Sequence, residues 1–180
     1  MAITIHGTTS IVGLISDTNN VGLGSTALDS ITTGDYNVGI GDNALTANTT
    51  GGNNTAVGTF ALDVNTTASY GTGIGYAALS SNTTGANNTA TGYYALYANT
   101  TGDNNVAIGK GSLDACTTST NNVAVGNDAG GGVTTGNGEN VFVGNRAGVG
   151  VTTGQQNIIL GDNACANGTM TGNLNVIIGD

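Results

Sequence analysis

The chain has 180 residues, of which 32 are Gly and none is Pro or Trp, with 7% charged and 4% aromatic residues. An ordinary mixed globular domain is about 25% charged and roughly 7% Gly, and a disordered chain of this acidity would carry far less than the 38% hydrophobic content found here. Eleven acids against two bases, Lys110 and Arg146, give a net charge of -9 with no basic stripe to neutralise phosphates, so nucleic acid is not an expected partner.

In chain order, the start from Met1 to Ser10 has neither the basic end nor the apolar stretch of a signal peptide, and no later run approaches the roughly 20 apolar residues of a membrane span. The expectation is a chain folded in a cytoplasm without membrane insertion. Residues 1–19 read as an N-terminal cap or docking segment: Ile3 to Ser16 follows the later register only loosely, with Gly7 one period before Gly24. Residues 20–180 read as one repeat domain of about ten coils.

The repeat is apolar, any, apolar, Gly, any, any, Ala. Its anchors are Gly24, Gly41, Gly58, Gly75, Gly92, Gly109, Gly126, Gly144, Gly161 and Gly179, 17 residues apart except for two gaps of 18. A constant spacing sustained over the chain means one structural unit per turn. Three residues before each anchor stand Val, Thr or Ile, from Val21 and Val38 to Val176. Immediately before it stand Leu23, Ile40, Val57, Ile74, Thr91, Ile108, Val125, Val143, Leu160 and Ile178. Side chains two apart in a strand share a face, and these β-branched columns are assigned to the interior. A second, shorter wall follows the anchor as Ala-Leu pairs such as Ala44-Leu45 and Ala95-Leu96.

Thr-Thr-Gly corners, such as Thr49-Thr50-Gly51, and an Asn corner close each coil. Asn20, Asn37, Asn54, Asn88, Asn105, Asn122, Asn140, Asn157 and Asn175 stand four before the anchor, interrupted only by Gly71. Identical amides in successive rungs can hydrogen-bond along the axis. Gly, Thr and Asn are weak helix formers, and no 3.6-residue period is present. The fold class predicted is all-β, a parallel β-solenoid (β-roll) with 17-residue coils.

A coil this small buries little apolar area, so association is expected. The column two before the anchor, Gly22, Gly39, Ala56, Gly73, Ala90, Ala107, Ala124, Phe142, Ile159 and Ile177, is assigned to the outside, where its small and then large apolar residues would form the interface of a homotrimer. Leu in the column four after the anchor gives way to Gly130, Gly148 and Cys165 as Phe142 and Ile159 arrive. Total volume is thereby conserved, and the two columns are expected to meet.

The sequence offers little for catalysis. His6 is the only histidine and Glu139 the only glutamate. Asp42, Asp162 and Asp180 share a column with Ser25, Thr59, Tyr76 and Lys110 and so form no carboxylate ladder. The nine-residue period of a calcium-binding roll is missing. No enzymatic activity, metal or cofactor is expected. Cys116 and Cys165 lie three rungs apart, roughly 14 Å along the axis, beyond the ~7 Å reach of a disulfide, and are expected as separate thiols. Asn-x-Thr sequences at Asn48 and Asn82 read simply as repeat corners.

The blocks Asn54 to Gly58, Tyr93 to Gly102 and Asn105 to Gly109 resemble repeats of bacteriophage tail-fibre proteins and are similar to the head repeats of trimeric autotransporter adhesins. The resemblance covers about residues 20 to 180. It implies a trimer of left-handed parallel β-rolls serving as a virion or surface appendage. The resemblance does not extend to the signal sequence, stalk and membrane anchor of the adhesins or to the self-cleaving chaperone domain of many phage fibres, and none of these is expected. The expectation is a phage virion protein made in the host cytoplasm: a short tail fibre, a fibre segment or a capsid decoration (cement) protein contacting other tail or capsid proteins. Two alternatives remain. Stacked threonines could bind ice, although adjacent threonines such as Thr49 and Thr50 point to opposite faces, leaving one aligned Thr per coil. Tyr36, Tyr70, Tyr76, Tyr93, Tyr94 and Tyr97 could stack on a host surface glycan, as in an adhesin.

Overall fold

The computed structural model describes residues 19–136 and 138–179. The expected cap, but for its last residue, lies outside them, as do His6 and Asp180. Among the described residues ten three-residue strands follow one another: β1 Val21–Leu23, β2 Val38–Ile40, β3 Thr55–Val57, β4 Thr72–Ile74, β5 Thr89–Thr91, β6 Val106–Ile108, β7 Val123–Val125, β8 Val141–Val143, β9 Ile158–Leu160 and β10 Val176–Ile178. They form one sheet in sequence order. Every pairing is parallel, and residues one period apart face each other, as in Gly39 with Ala56 and Ala124 with Phe142. The chain is a parallel β-solenoid, each coil lying over the previous one. Nine spacings of about 4.8 Å make the stack about 43 Å long.

The anchor glycines turn the chain out of each strand. Gly41 has φ +129°, and a Cβ there would sit 2.6 Å from the Gly58 carbonyl carbon in the next coil. Conformation and close stacking both demand glycine.

The strand faces are the reverse of those assigned from sequence. The middle residue points inward: Ala56, Ala90, Ala107, Ala124, Phe142 and Ile159 are fully buried, Gly22, Gly39 and Gly73 are buried with them, and Ile177 is half-buried in the last strand. The flanking β-branched columns point outward, with Ile108 42% exposed beside a fully buried Ala107. The physical reason is width. The opposite wall sends its leucines across the coil, so a Cβ on Gly39 would already lie 3.3 Å from Leu28 Cγ. Only Gly or Ala fits the strand centre where that leucine is present.

These leucines adopt an unusual backbone. Leu28, Leu45, Leu62, Leu79, Leu96 and Leu113 all have positive φ, between 50° and 58°, a conformation costing an L-residue roughly 1–2 kcal/mol. Each is buried, and burying a leucine returns roughly 1.5–3 kcal/mol. Their backbone groups are also used, as where Leu45 N–H donates to Ala61 O at 3.1 Å.

Two asparagine ladders line the interior. In the first, each side-chain oxygen accepts the backbone N–H one coil on, as from Asn37 N to Asn20 Oδ1 at 2.7 Å and from Asn105 N to Asn88 Oδ1 at 2.9 Å. The amide nitrogen ties the corner, as from Asn37 Nδ2 to Gly51 O at 2.9 Å. The second ladder is Asn48, Asn65, Asn82 and Asn99, in which each Nδ2 donates to the preceding Oδ1 at 2.8–3.0 Å. The Asn-x-Thr corners at Asn48 and Asn82 are thus rungs of a buried polar column. Beyond Asn99 the same position holds Cys116, Val133 and Val151, and Asn99 Oδ1 is left buried without a partner.

Candidate functional site

Because the inner column is consumed by the coil's own core, Gly22, Gly39, Ala56, Gly73, Ala90, Ala107, Ala124, Phe142, Ile159 and Ile177 do not present an external interface. The two columns expected to meet do so inside one chain. A Cβ on Gly130 would lie 2.7 Å from Phe142 Cδ2, and one on Gly148 would run into the same ring.

The surface able to meet a partner is the sheet's outer face. Ten strands there carry two continuous columns of Val, Ile, Leu and Thr. Leu23, Ile40, Ile74, Ile108, Val143 and Ile158 are all large, apolar and exposed. Exposed strips of this length are uncommon on monomeric proteins and mark contacts. The sequence carries the signal in these unbroken columns of Val, Ile, Leu and Thr, whose hydrophobicity points to the core.

A second face is made by the paired threonines, kept in eight consecutive coils from Thr32-Thr33 to Thr152-Thr153. The first hydroxyl is engaged along the stack in the seven pairs from Thr32 to Thr134, as from Thr49 Oγ1 to Thr66 O at 3.0 Å. The second residue is exposed in every coil, from Thr33 through Thr101 to Thr153.

A third feature is an aromatic cluster in the coils carrying β3, β4 and β5. Tyr76 stacks on Tyr93 with centroids 5.5 Å apart and planes at 13°. Tyr93 and Tyr94 lie 4.2 Å apart, Tyr94 and Tyr97 4.7 Å, and Phe60 closes the cluster edge-on to Tyr76 at 5.9 Å. Tyr94's hydrogen bond with Tyr93, with some desolvation, raises its phenol pKa. Of the six tyrosines the structure brings these four together, while Tyr36 and Tyr70 stand exposed at positive-φ corners before the first asparagine column.

The next coils continue this surface. Ala98 N–H donates to Asp114 O and Gly111 N–H to Tyr93 O, which places Asp114 over Tyr97 and Lys110-Gly111 over Tyr93-Tyr94. An open cleft of about 310 Å³ follows, lined by Asp114, Asp128, Gly131, Arg146 and Val149. Burial raises the Asp114 pKa, and the charge of Asp128 adds to it. Asp63, on the same wall, is also raised by burial, against a hydrogen bond from Ser80.

Both cysteines are free. Cys116 is buried in the second interior column, and burial pushes its thiol up to about 11. Cys165 is half-buried, with Met170 Sδ 3.5 Å from its sulfur. Among the described residues no three His, Cys, Asp or Glu side chains gather as a metal site requires, and no helix is long and apolar enough to cross a membrane. Comparison with protein families, curated proteins and solved structures gave no match to this chain.

Proposed function

We propose that the chain is a non-enzymatic structural protein of a bacteriophage virion, a left-handed solenoid rod that assembles as a homotrimer and serves as a short tail fibre, a fibre segment or a capsid decoration protein. The observation that carries this reading is the outer sheet face. A water-facing surface that carries Val, Ile or Leu in every strand but β5, where Thr89 and Thr91 stand outward, calls for cover, and other copies of the same rod supply a matching strip. The sealed interior supports a mechanical role. A ten-strand hydrogen-bonded stack ties each coil to its neighbours, and the amide ladders reinforce it, the second over the coils from Asn48 to Asn99, so load along the axis is shared along the stack.

Sedimentation equilibrium tests the assembly. The chain is expected at three times its 17.5 kDa mass, and Val106→Lys with Ile108→Lys is expected to give folded monomers. A monomeric native chain overturns the trimer. Immunogold electron microscopy of particles whose genome encodes the chain tests the virion role, with label on tail or shell supporting it and unlabelled particles refuting it.

The unbroken outer threonine column favours one second reading, an ice-binding surface. It presents a single free hydroxyl in the coils from Thr32 to Thr134, where the first Thr of the pair is spent on the stack. Thermal hysteresis in dilute solution would promote this reading over the structural one, and its absence would remove it.

A further inference from the structure

We infer that the tyrosine cluster and the cleft beside it form a saccharide-binding site, a function separate from assembly through the sheet. The exposed rings are the first indication. Tyr76, Tyr93 and Tyr97 keep 43%, 47% and 41% of their surface exposed while packed ring to ring. Rings held rigid by one another yet open to solvent lose little entropy when a ligand stacks on them. In other coils the column of Tyr76 and Tyr93 holds unrelated polar side chains, Thr59, Lys110 and Asn127, so coil closure does not require these rings.

Charge placement narrows the ligand. The two cationic residues of the whole chain, Lys110 and Arg146, both fall in the columns that hold Tyr93 and Tyr94, one and three coils further on. A cationic ligand, which ring faces and carboxylates would otherwise suit, meets these two like charges. A polyanionic nucleic acid meets Asp114 and Asp128 and the net charge of -9. A protein partner needs ~800 Å² per side, whereas the rings span three coils, about 10 Å of rod between the first and last. A sugar chain fits what is left. Its CH-rich ring faces lie on Tyr93 and Tyr97, and its hydroxyls, each donor and acceptor, pair with carboxylates and a guanidinium in the cleft.

The test is a panel of immobilised oligosaccharides, one arm neutral and one arm bearing uronic acids, probed with the full chain. Binding to members of either arm is then titrated by intrinsic tyrosine fluorescence, which is unobscured because the chain has no Trp. Saturable binding is expected, weakened at least tenfold by Tyr93→Ala and by Tyr97→Ala, retained in Tyr93→Phe and unchanged in Tyr36→Ala. Circular dichroism establishes that each variant is folded, and the Phe and Tyr36 variants keep the test sound if an alanine variant is not. Preference for the uronate arm that is lost in Arg146→Gln assigns the cleft to a carboxylate, and preference for the neutral arm assigns it to hydroxyls; both support the site. No binding across the panel, binding indifferent to Tyr93 and Tyr97, or a change in oligomer mass on their substitution without sugar binding overturns it.

Discussion

The coils that carry Asn48, Asn65, Asn82 and Asn99 and the later coils beyond Cys116 fill the same interior differently. In the earlier coils a leucine crosses from one wall to an alanine or glycine in the strand, and the corner position holds an amide ladder. In the later coils Phe142 reaches across from the strand to Gly130 and Gly148, Ile159 is buried at the next strand centre, and the corner holds Val133 and Val151. This corner is closed by hydrogen bonds in one half and by apolar bulk in the other, while the first asparagine ladder and the strand register continue through β7 and β8. The backbone of a coil therefore sets a volume, and either wall can supply it.

The comparison breaks most sharply at Phe142. Phe142→Ala should cost ~3–5 kcal/mol, at the upper end because the facing residues are glycines that cannot collapse into the hole. Adding Gly130→Leu to it installs the earlier arrangement and should recover part of the loss. Gly130→Leu alone should destabilise through the clash with the ring. Chemical denaturation of the three variants as a double-mutant cycle reads the coupling, and strict additivity would show that the walls do not share one volume.

Asn82→Ala probes the other half. It removes a donor to Asn65 Oδ1 at 3.0 Å and Gly85 O at 2.9 Å and an acceptor for Asn99 Nδ2 at 2.8 Å. Buried partners left unpaired should cost about 2–3 kcal/mol. A loss in denaturation midpoint no larger than for an exposed Thr84→Ala would show that the ladder contributes nothing.

A smaller effect is expected at Asp114. Its folded pKa lies above the unfolded value, so folding favours its protonated form. Stability is therefore highest below the unfolded pKa, about 3.9, and falls as pH rises towards the folded pKa. Asp114→Asn should raise the melting temperature slightly at pH 7, with the advantage vanishing below about pH 3.9. An advantage that persists at pH 3 would point to a cause other than charge.

The cysteines sharpen the comparison without altering stability. With its pKa near 11, Cys116 is about one part in a thousand thiolate at pH 8, and it is sealed between the halves. Cys165 lies half-open near the end of the late coils. Alkylation under native conditions should modify Cys165 first and Cys116 only on unfolding, as mass spectrometry of the peptides would show. Equal rates would mean that the ladder's end opens locally.

Much of the fold was legible because a period repeats its evidence. Each anchor glycine marks the end of a strand, and Val38–Ile40 or Val123–Val125 fall where the spacing puts them. The first asparagine column was visible for the same reason, while Asn48, Asn65, Asn82 and Asn99 were masked by their resemblance to ordinary Asn-Thr corners. The tyrosines were visible as a list. Their partition into a cluster of four and two outliers depended on which positions adjoin across the coil.

The sequence by itself determined the period, the strand positions, the parallel register and the exchange of bulk between two columns, since all of these follow from which residue recurs where. Only the tertiary structure decided which strand face is interior. Alternation separates Ile108 from Ala107 but does not say which one meets the opposite wall, and hydrophobicity favours the wrong answer. A coil of 17 residues is too narrow to hold β-branched side chains from one wall and leucines from the other, so the leucines, turned inward by their positive φ, take the space and the larger strand residues are left outside, available to a partner.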